Sequence, residues 1–186
     1  MHAIDAALRL AAAGRGERLV DLATGTGLLL RRLAASPVRP REAVGVDRSP
    51  GMLACVGTLP AGWSTLLADA RAVPLPAGWA DVVTCSHLLH LLEPRERAEV
   101  LAEVRRLLRP GADGRLVVVS VCPDRRRPGG RIGHEALALL ARARPTVWGG
   151  LQPLDPADDL VAAGFAIDRR VLLPRHGYPS VVLLAR

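Results

Sequence analysis

Twelve consecutive residues, L-V-D-L-A-T-G-T-G-L-L-L from Leu19 to Leu30, leave the backbone few local choices. Leu19, Val20 and Leu22 form a short apolar run of the kind that fills a buried parallel strand. Thr24-Gly25-Thr26-Gly27 then strips bulk from a turn, so that main chain can approach a ligand closely. From Leu28 to Leu33 the apolar spacing suits a helix whose first amides point back into that turn. Strand, glycine turn and helix N-terminus in this order predict a nucleotide-type site at the carboxyl end of a sheet.

The same alternation runs through the chain. Ile4 to Ala13 predicts a lead-in helix, and the helix after the glycine turn should stop near Ala35, before Ser36-Pro37. Ala43 to Asp47 reads as a second buried strand. Ser49 can cap the next helix, and Pro50 suits its first turn. Trp63 to Ala68, Asp81 to Ser86 and Arg115 to Val121 read as strands three to five. A long helix from Glu93-Pro94 to Leu108 precedes the fifth. Asp155 to Ala163 predicts a further helix. Phe165 to Leu173 and Tyr178 to Ala185 are strand-like runs around Pro174-Arg175-His176-Gly177, which reads as a hairpin. The fold class expected is α/β: a doubly wound, Rossmann-like, mostly parallel seven-stranded sheet whose last strand is antiparallel.

With 186 residues, 49% of them hydrophobic, the chain suits a single domain over 1–186. No apolar run reaches the roughly 18 to 20 residues of a membrane span, and no secretory pattern opens the sequence. A soluble, cytoplasmic protein is expected. Cys55, Cys85 and Cys122 are neither a disulfide framework nor a zinc pattern, and their apolar settings predict buried thiols. No metal site is expected. The net charge is +7, yet all 25 basic residues are arginine and, apart from Arg125-Arg126-Arg127, they are scattered. Such a balance reads as a solvated face, with nucleic acid an unlikely partner.

Three carboxylates fall at strand ends or their turns: Asp21, Asp47 and Asp69. In an open parallel sheet these ends converge on one crevice. Asp47 lies 20 residues beyond Gly27, a spacing at which a carboxylate can take the hydroxyls of a ribose. Asp69 could accept from an exocyclic adenine amine, with the Ala70 amide serving a ring nitrogen. Asp21, beside the glycine turn, favours a cationic ligand end over a diphosphate.

These motifs together resemble the class I S-adenosylmethionine-dependent methyltransferases, in particular the small-molecule group that includes quinone-biosynthesis enzymes. D-L-A-T-G-T-G matches the family's first motif, and G-V-D-R-S-P-G-M-L its second-strand motif. L-A-D-A matches the adenine motif, P-L-P-A-G-W-A-D-V-V-T-C-S-H-L-L-H-L-L the fourth-strand region, and V-R-R-L-L-R-P-G the helix leading to strand five. The resemblance implies S-adenosylmethionine as cofactor. Asp21, Ala23, Gly25, Gly27, Asp47, Arg48, Met52, Asp69, Ala70 and Ser86 would bind it. Ala23 departs from the pattern, since many members have glycine there. The family's substrate-recognition cap before the first strand is nearly absent, which leaves Cys122 to Leu154, rich in Arg, Pro and Gly, as the expected lid.

A dinucleotide dehydrogenase is the nearest rival. Its fingerprint wants a third glycine where this chain has Leu30, and it would seldom place an acid like Asp21 near a pyrophosphate.

Methyl transfer asks little of side chains beyond holding the acceptor in line. Where the acceptor must lose a proton, His87, just past the fourth strand, is the candidate catalytic base, and a packed or substrate-shaping histidine is the other reading of it. His90, inside L-L-H-L-L, is expected as a hydrogen-bonded core residue. The chain is therefore expected to methylate a small organic acceptor. An RNA or protein methyltransferase, or a cofactor-binding pseudoenzyme that has lost its acceptor site, are the alternatives. Few aromatics, and T-C-S-H in place of an N/D-P-P-Y/F signature, speak against a nucleic-acid substrate.

Overall fold

The computed structural model describes residues 3–111, 114–122, 153–173 and 179–186. The elements are α1 (Ala3–Ala11), β1 (Arg18–Leu22), α2 (Leu28–Ala34), β2 (Glu42–Asp47), α3 (Pro50–Ala54), β3 (Trp63–Leu67) and β4 (Val82–Ser86). There follow a 3₁₀ turn (Leu89–Leu91), α4 (Pro94–Leu107), β5 (Arg115–Val121), α5 (Ala157–Ala162), β6 (Ile167–Leu173) and β7 (Ser180–Ala185). The strands lie in the order β3-β2-β1-β4-β5-β7-β6. All pair in parallel except β7, which runs antiparallel to both β5 and β6. The antiparallel last strand is thus where the sequence places it. The expected hairpin turn and the greater part of the expected lid, 123–152, lie outside the described residues.

Buried runs such as Leu116 to Val119 and Val181 to Ala185 alternate between the two faces of the sheet. Val20, Val83, Val118 and Leu183 pack with α4 and α5 on one side. Leu19, Val82, Val117 and Val182 pack with α1 and α2 on the other. Each fully buried leucine or valine contributes about 1.5–3 kcal/mol of transfer free energy, so a sheet covered on both faces tolerates apolar strands with no polar side.

Local chemistry sets the element ends. Gly27 caps α2 in the left-handed region, at φ 77°. A Cβ there would stand 2.8 Å from Val56 Cγ1. Ser49 Oγ accepts from the Met52 amide at 3.3 Å to start α3, with Pro50 in the first turn. Glu96 accepts from the Glu93 amide at 3.1 Å, as a capping box does at the start of α4. α1 is tied to β5 by Arg115. Its Nε donates to the Ala11 carbonyl at 2.6 Å, and its two terminal nitrogens donate to the Glu17 carboxylate at 2.8 Å each. That fork holds the Glu17 carboxyl below the usual carboxylate range.

Cys85 and Cys122 are buried as expected, but Cys55 is exposed. It follows the short helix α3, which has no buried residue and leaves its last turn to solvent. Among the described residues no helix is long and apolar enough to cross a membrane.

Candidate functional site

The carboxyl ends of β1, β2, β3 and β4 open into two cavities that share Ala23. The first, of about 490 Å³, is lined by α1 and α2 together with Asp21, Ser86 and His87. The second, of about 280 Å³, is lined by Gly25, Asp47, Arg48, Met52, Asp69 and Ala70, with Leu88, Leu91 and Leu92 closing its apolar side. Ten of the eleven expected cofactor and catalytic residues stand in these linings, Ala23 in both. Gly27 lines neither cavity: its part is the turn itself.

Asp21 is 2% exposed. The Thr24 hydroxyl donates to its Oδ2 at 2.7 Å, and the Thr84 hydroxyl donates to its Oδ1 at 2.7 Å. Burial outweighs these two donors and raises the Asp21 carboxyl to about 6, with the nearby Asp47 charge adding to the rise. Burial also pushes the adjoining Cys85 thiol up to about 12, which leaves it an inert packing group.

Asp47 ends β2 and organises the glycine turn. Its Oδ2 accepts from the Gly25 amide at 2.8 Å, and its Oδ1 accepts from the Ser49 amide at 2.9 Å. The Thr24 amide meanwhile donates to the Val46 carbonyl at 3.0 Å. The carboxylate therefore joins two strand ends while keeping lone pairs for the cavity. Ala23 adopts φ 54°, the left-handed conformation in which glycine carries less strain. The chain pays for alanine here with about 1 kcal/mol of backbone strain.

Asp69 is met by Arg71 in a two-point clamp: Nε to Oδ1 at 3.0 Å and one terminal nitrogen to Oδ2 at 2.7 Å. Arg71 holds the Asp69 carboxyl well below the usual carboxylate range.

His87 sits at the rim of the larger cavity with φ 59°, and its amide donates to the Val119 carbonyl of β5 at 2.8 Å. A non-glycine residue in this region is stored strain that the flanking strands must hold. Desolvation lowers the His87 pKa, so the ring is neutral near pH 7. His90 is buried behind it, the two rings meeting edge to face at 5.7 Å. His90 departs from expectation in one respect: its Nδ1 has no hydrogen-bond partner among the described residues. The 3₁₀ turn that carries it is otherwise apolar, and burial, then His87, lowers its pKa to about 4. Ser86 Oγ is likewise buried without a partner, on the wall of the larger cavity.

Thr24, Thr84 and Arg71 escaped the sequence reading. Thr84 reads as one more β-branched strand residue, and Arg71 as one more exposed arginine. Only the strand spacing beside Asp21 could have drawn attention to Thr84. His134 and Trp148, in the expected lid, and His176, in the expected hairpin turn, lie outside the described residues.

A family profile described as a methyltransferase domain matches residues 19–111. The chain is 36% identical over 155 residues to a demethylmenaquinone methyltransferase from Thermus thermophilus, covering 80% of this chain and 64% of that one. It is 34% identical over 118 residues to a ubiquinone/menaquinone biosynthesis C-methyltransferase from Geobacter sulfurreducens, covering 60% of this chain and 44% of that one. The aligned region thus spans about half to two-thirds of these relatives' own length. Among solved structures, the cyclopropane synthase MmaA2 from Mycobacterium tuberculosis superposes with a TM-score of 0.78 at 20% identity, covering 98% of this chain and 82% of that one. At that identity the likeness speaks for the fold.

Proposed function

The chain belongs to the methyltransferase-domain family, and from this we propose that it is an S-adenosylmethionine-dependent methyltransferase acting on a small organic acceptor. The observation that carries the reading is the pair of adjoining cavities, with a carboxylate at each of three successive strand ends. The residues fit the cofactor. Asp47 has lone pairs to spare for ribose hydroxyls, the apolar side formed by Leu88, Leu91 and Leu92 suits a purine face, and buried Asp21 suits a cationic amino-acid end. Ser86 offers an unused buried hydroxyl at the wall beside it.

When bound, S-adenosylmethionine supplies an already activated methyl group, so no protein nucleophile is required. The chain's own residues orient and desolvate. Asp47 fixes the glycine turn through the Gly25 amide, Asp21 anchors the floor, and the apolar walls around Leu28, Leu29 and Leu173 exclude water from the acceptor side. Methylation of a ring carbon leaves a hydrogen to be removed from it, and neutral His87 at the rim is the group placed to take that proton. The names of the relatives make demethylated quinones the first acceptors to assay.

Asp47→Ala should weaken S-adenosylhomocysteine binding by about 1.5–3 kcal/mol, the size of a lost charge-assisted hydrogen bond. Titration calorimetry on a variant shown by circular dichroism to be folded checks this. Unchanged affinity, or tighter binding of NAD by the wild type, sinks the assignment. On the acceptor side, His87→Ala should lower turnover by roughly 10²- to 10⁴-fold with cofactor affinity nearly intact. If His87→Gln instead keeps most of the rate and raises only the acceptor KM, His87 shapes the pocket and takes no proton. Binding without turnover on any acceptor would mark a cofactor-binding protein that is not an enzyme.

A further inference from the structure

Resting on the adenosyl-binding reading above, we propose that Arg71 is a positioning residue for base selection: it clamps Asp69 so that one acceptor position is left for the 6-amino group of the purine. Asp69 Oδ1 accepts twice from the same arginine, from its backbone amide at 2.9 Å and from its Nε at 3.0 Å. Oδ2 accepts once, from a terminal guanidinium nitrogen at 2.7 Å. A carboxylate has about four lone-pair positions, so three are consumed and the fourth lies on Oδ2. The two-point fork also fixes the carboxylate plane, which a single contact would not do.

Arg71 is itself held. Its other terminal nitrogen meets Glu96 Oε1 at 3.2 Å and Glu99 Oε2 at 3.7 Å. Glu96 Oε2 accepts from the Glu93 amide at the start of α4. A helix cap, a guanidinium and a carboxylate thus form one chain ending at the 280 Å³ cavity, whose lining includes Asp69, Arg71 and Glu96. Because the arginine neutralises the aspartate, discrimination at this rim comes from the direction of one lone pair more than from net charge. An unclamped Asp69 would rotate and spread its acceptors over several directions, losing that discrimination while still touching the ligand.

The test compares S-adenosylhomocysteine with its analogue carrying hydrogen in place of the 6-amino group, titrated into wild type, Arg71→Ala and Arg71→Lys. Wild type should prefer the amino compound by about 10-fold or more, the worth of a hydrogen bond to a charged group. The preference should fall to roughly 3-fold or less in both variants, since lysine keeps the charge but cannot form the fork. Should Arg71→Ala fail to fold, Arg71→Lys decides alone. An unchanged preference with equal losses for both ligands makes Arg71 a structural ion pair and overturns the proposal. A larger preference in the variants overturns it too, because Arg71 would then be competing with the base. A wild type that binds both compounds equally also defeats it, whereas a wild type that binds neither defeats the adenosyl reading beneath it.

Discussion

Asp21 shows how a single buried carboxyl on a cavity wall can weigh against the fold. Its carboxyl titrates near 6 in the folded protein and near 3.8 without it. The folded state therefore holds the proton more tightly than the unfolded chain. The native state is favoured when Asp21 is protonated, below about pH 4, and that advantage is lost as pH rises to about 6, then stays lost. Asp21→Asn removes the titration. The melting temperature of the variant should gain on that of wild type between pH 4 and 6.5, by the equivalent of about 3 kcal/mol, then run parallel above it. A gap that does not change with pH would show that Asp21 is not desolvated as described. The variant should also bind S-adenosylmethionine more weakly, since the buried negative charge is gone. Asp21, Asp47 and Asp69 were legible in the sequence because each lies at or next to the carboxyl end of its own strand. The partners that tune them were not: Thr84 reaches Asp21 across 63 residues of chain. Arg71 is near in sequence, but side-chain direction decides its role, and sequence spacing does not report direction.

At the scale of elements, the crossing of α2 over β2 depends on Gly45. It pairs with Asp21 in the sheet, and a Cβ there would stand 2.7 Å from Leu30 Cδ1 and 2.9 Å from Thr24 Cγ2. Leu30 is fully buried and Thr24 nearly so, hence neither can swing aside cheaply. Gly45→Ala should cost about 1–3 kcal/mol in denaturant unfolding and disturb Thr24, and with it Asp21. Gly16→Ala, where a Cβ meets nothing within 4 Å, is the control and should be nearly neutral. A neutral Gly45→Ala would mean that helix and strand are less closely fitted than these distances imply. Element order and type could be read from the chain because apolar runs, glycines and prolines act within a few residues. The long α4 was legible from Val100, Leu101, Val104 and Leu107 at helical spacing, all buried. The anchoring of α1 was not: Arg115 and Glu17 meet across 98 residues, and no local pattern marks such a pair.

At the scale of the whole molecule, the sequence carries a net charge of +7. Arginines face carboxylates in many places, as in Arg97–Asp159 at 2.9 Å, Arg109–Asp81 at 2.8 Å and Arg186–Asp168 at 3.1 Å. RNA or DNA should accordingly bind weakly, without sequence preference, and with affinity that falls steeply from 50 to about 200 mM salt. Filter binding or fluorescence anisotropy across that range checks it, and sequence-selective binding that persists at the upper end would favour a nucleic-acid substrate. The arrangement of β5, β7 and β6 has a consequence for how the chain is made. β7 comes after both neighbours in sequence yet lies between them. On a ribosome, β5 and β6 are therefore synthesised before the strand that joins them in the finished sheet. Until Ser180 to Ala185 emerges from the exit tunnel, β5 keeps an unpaired apolar edge, the kind of surface on which neighbouring nascent chains cross-pair.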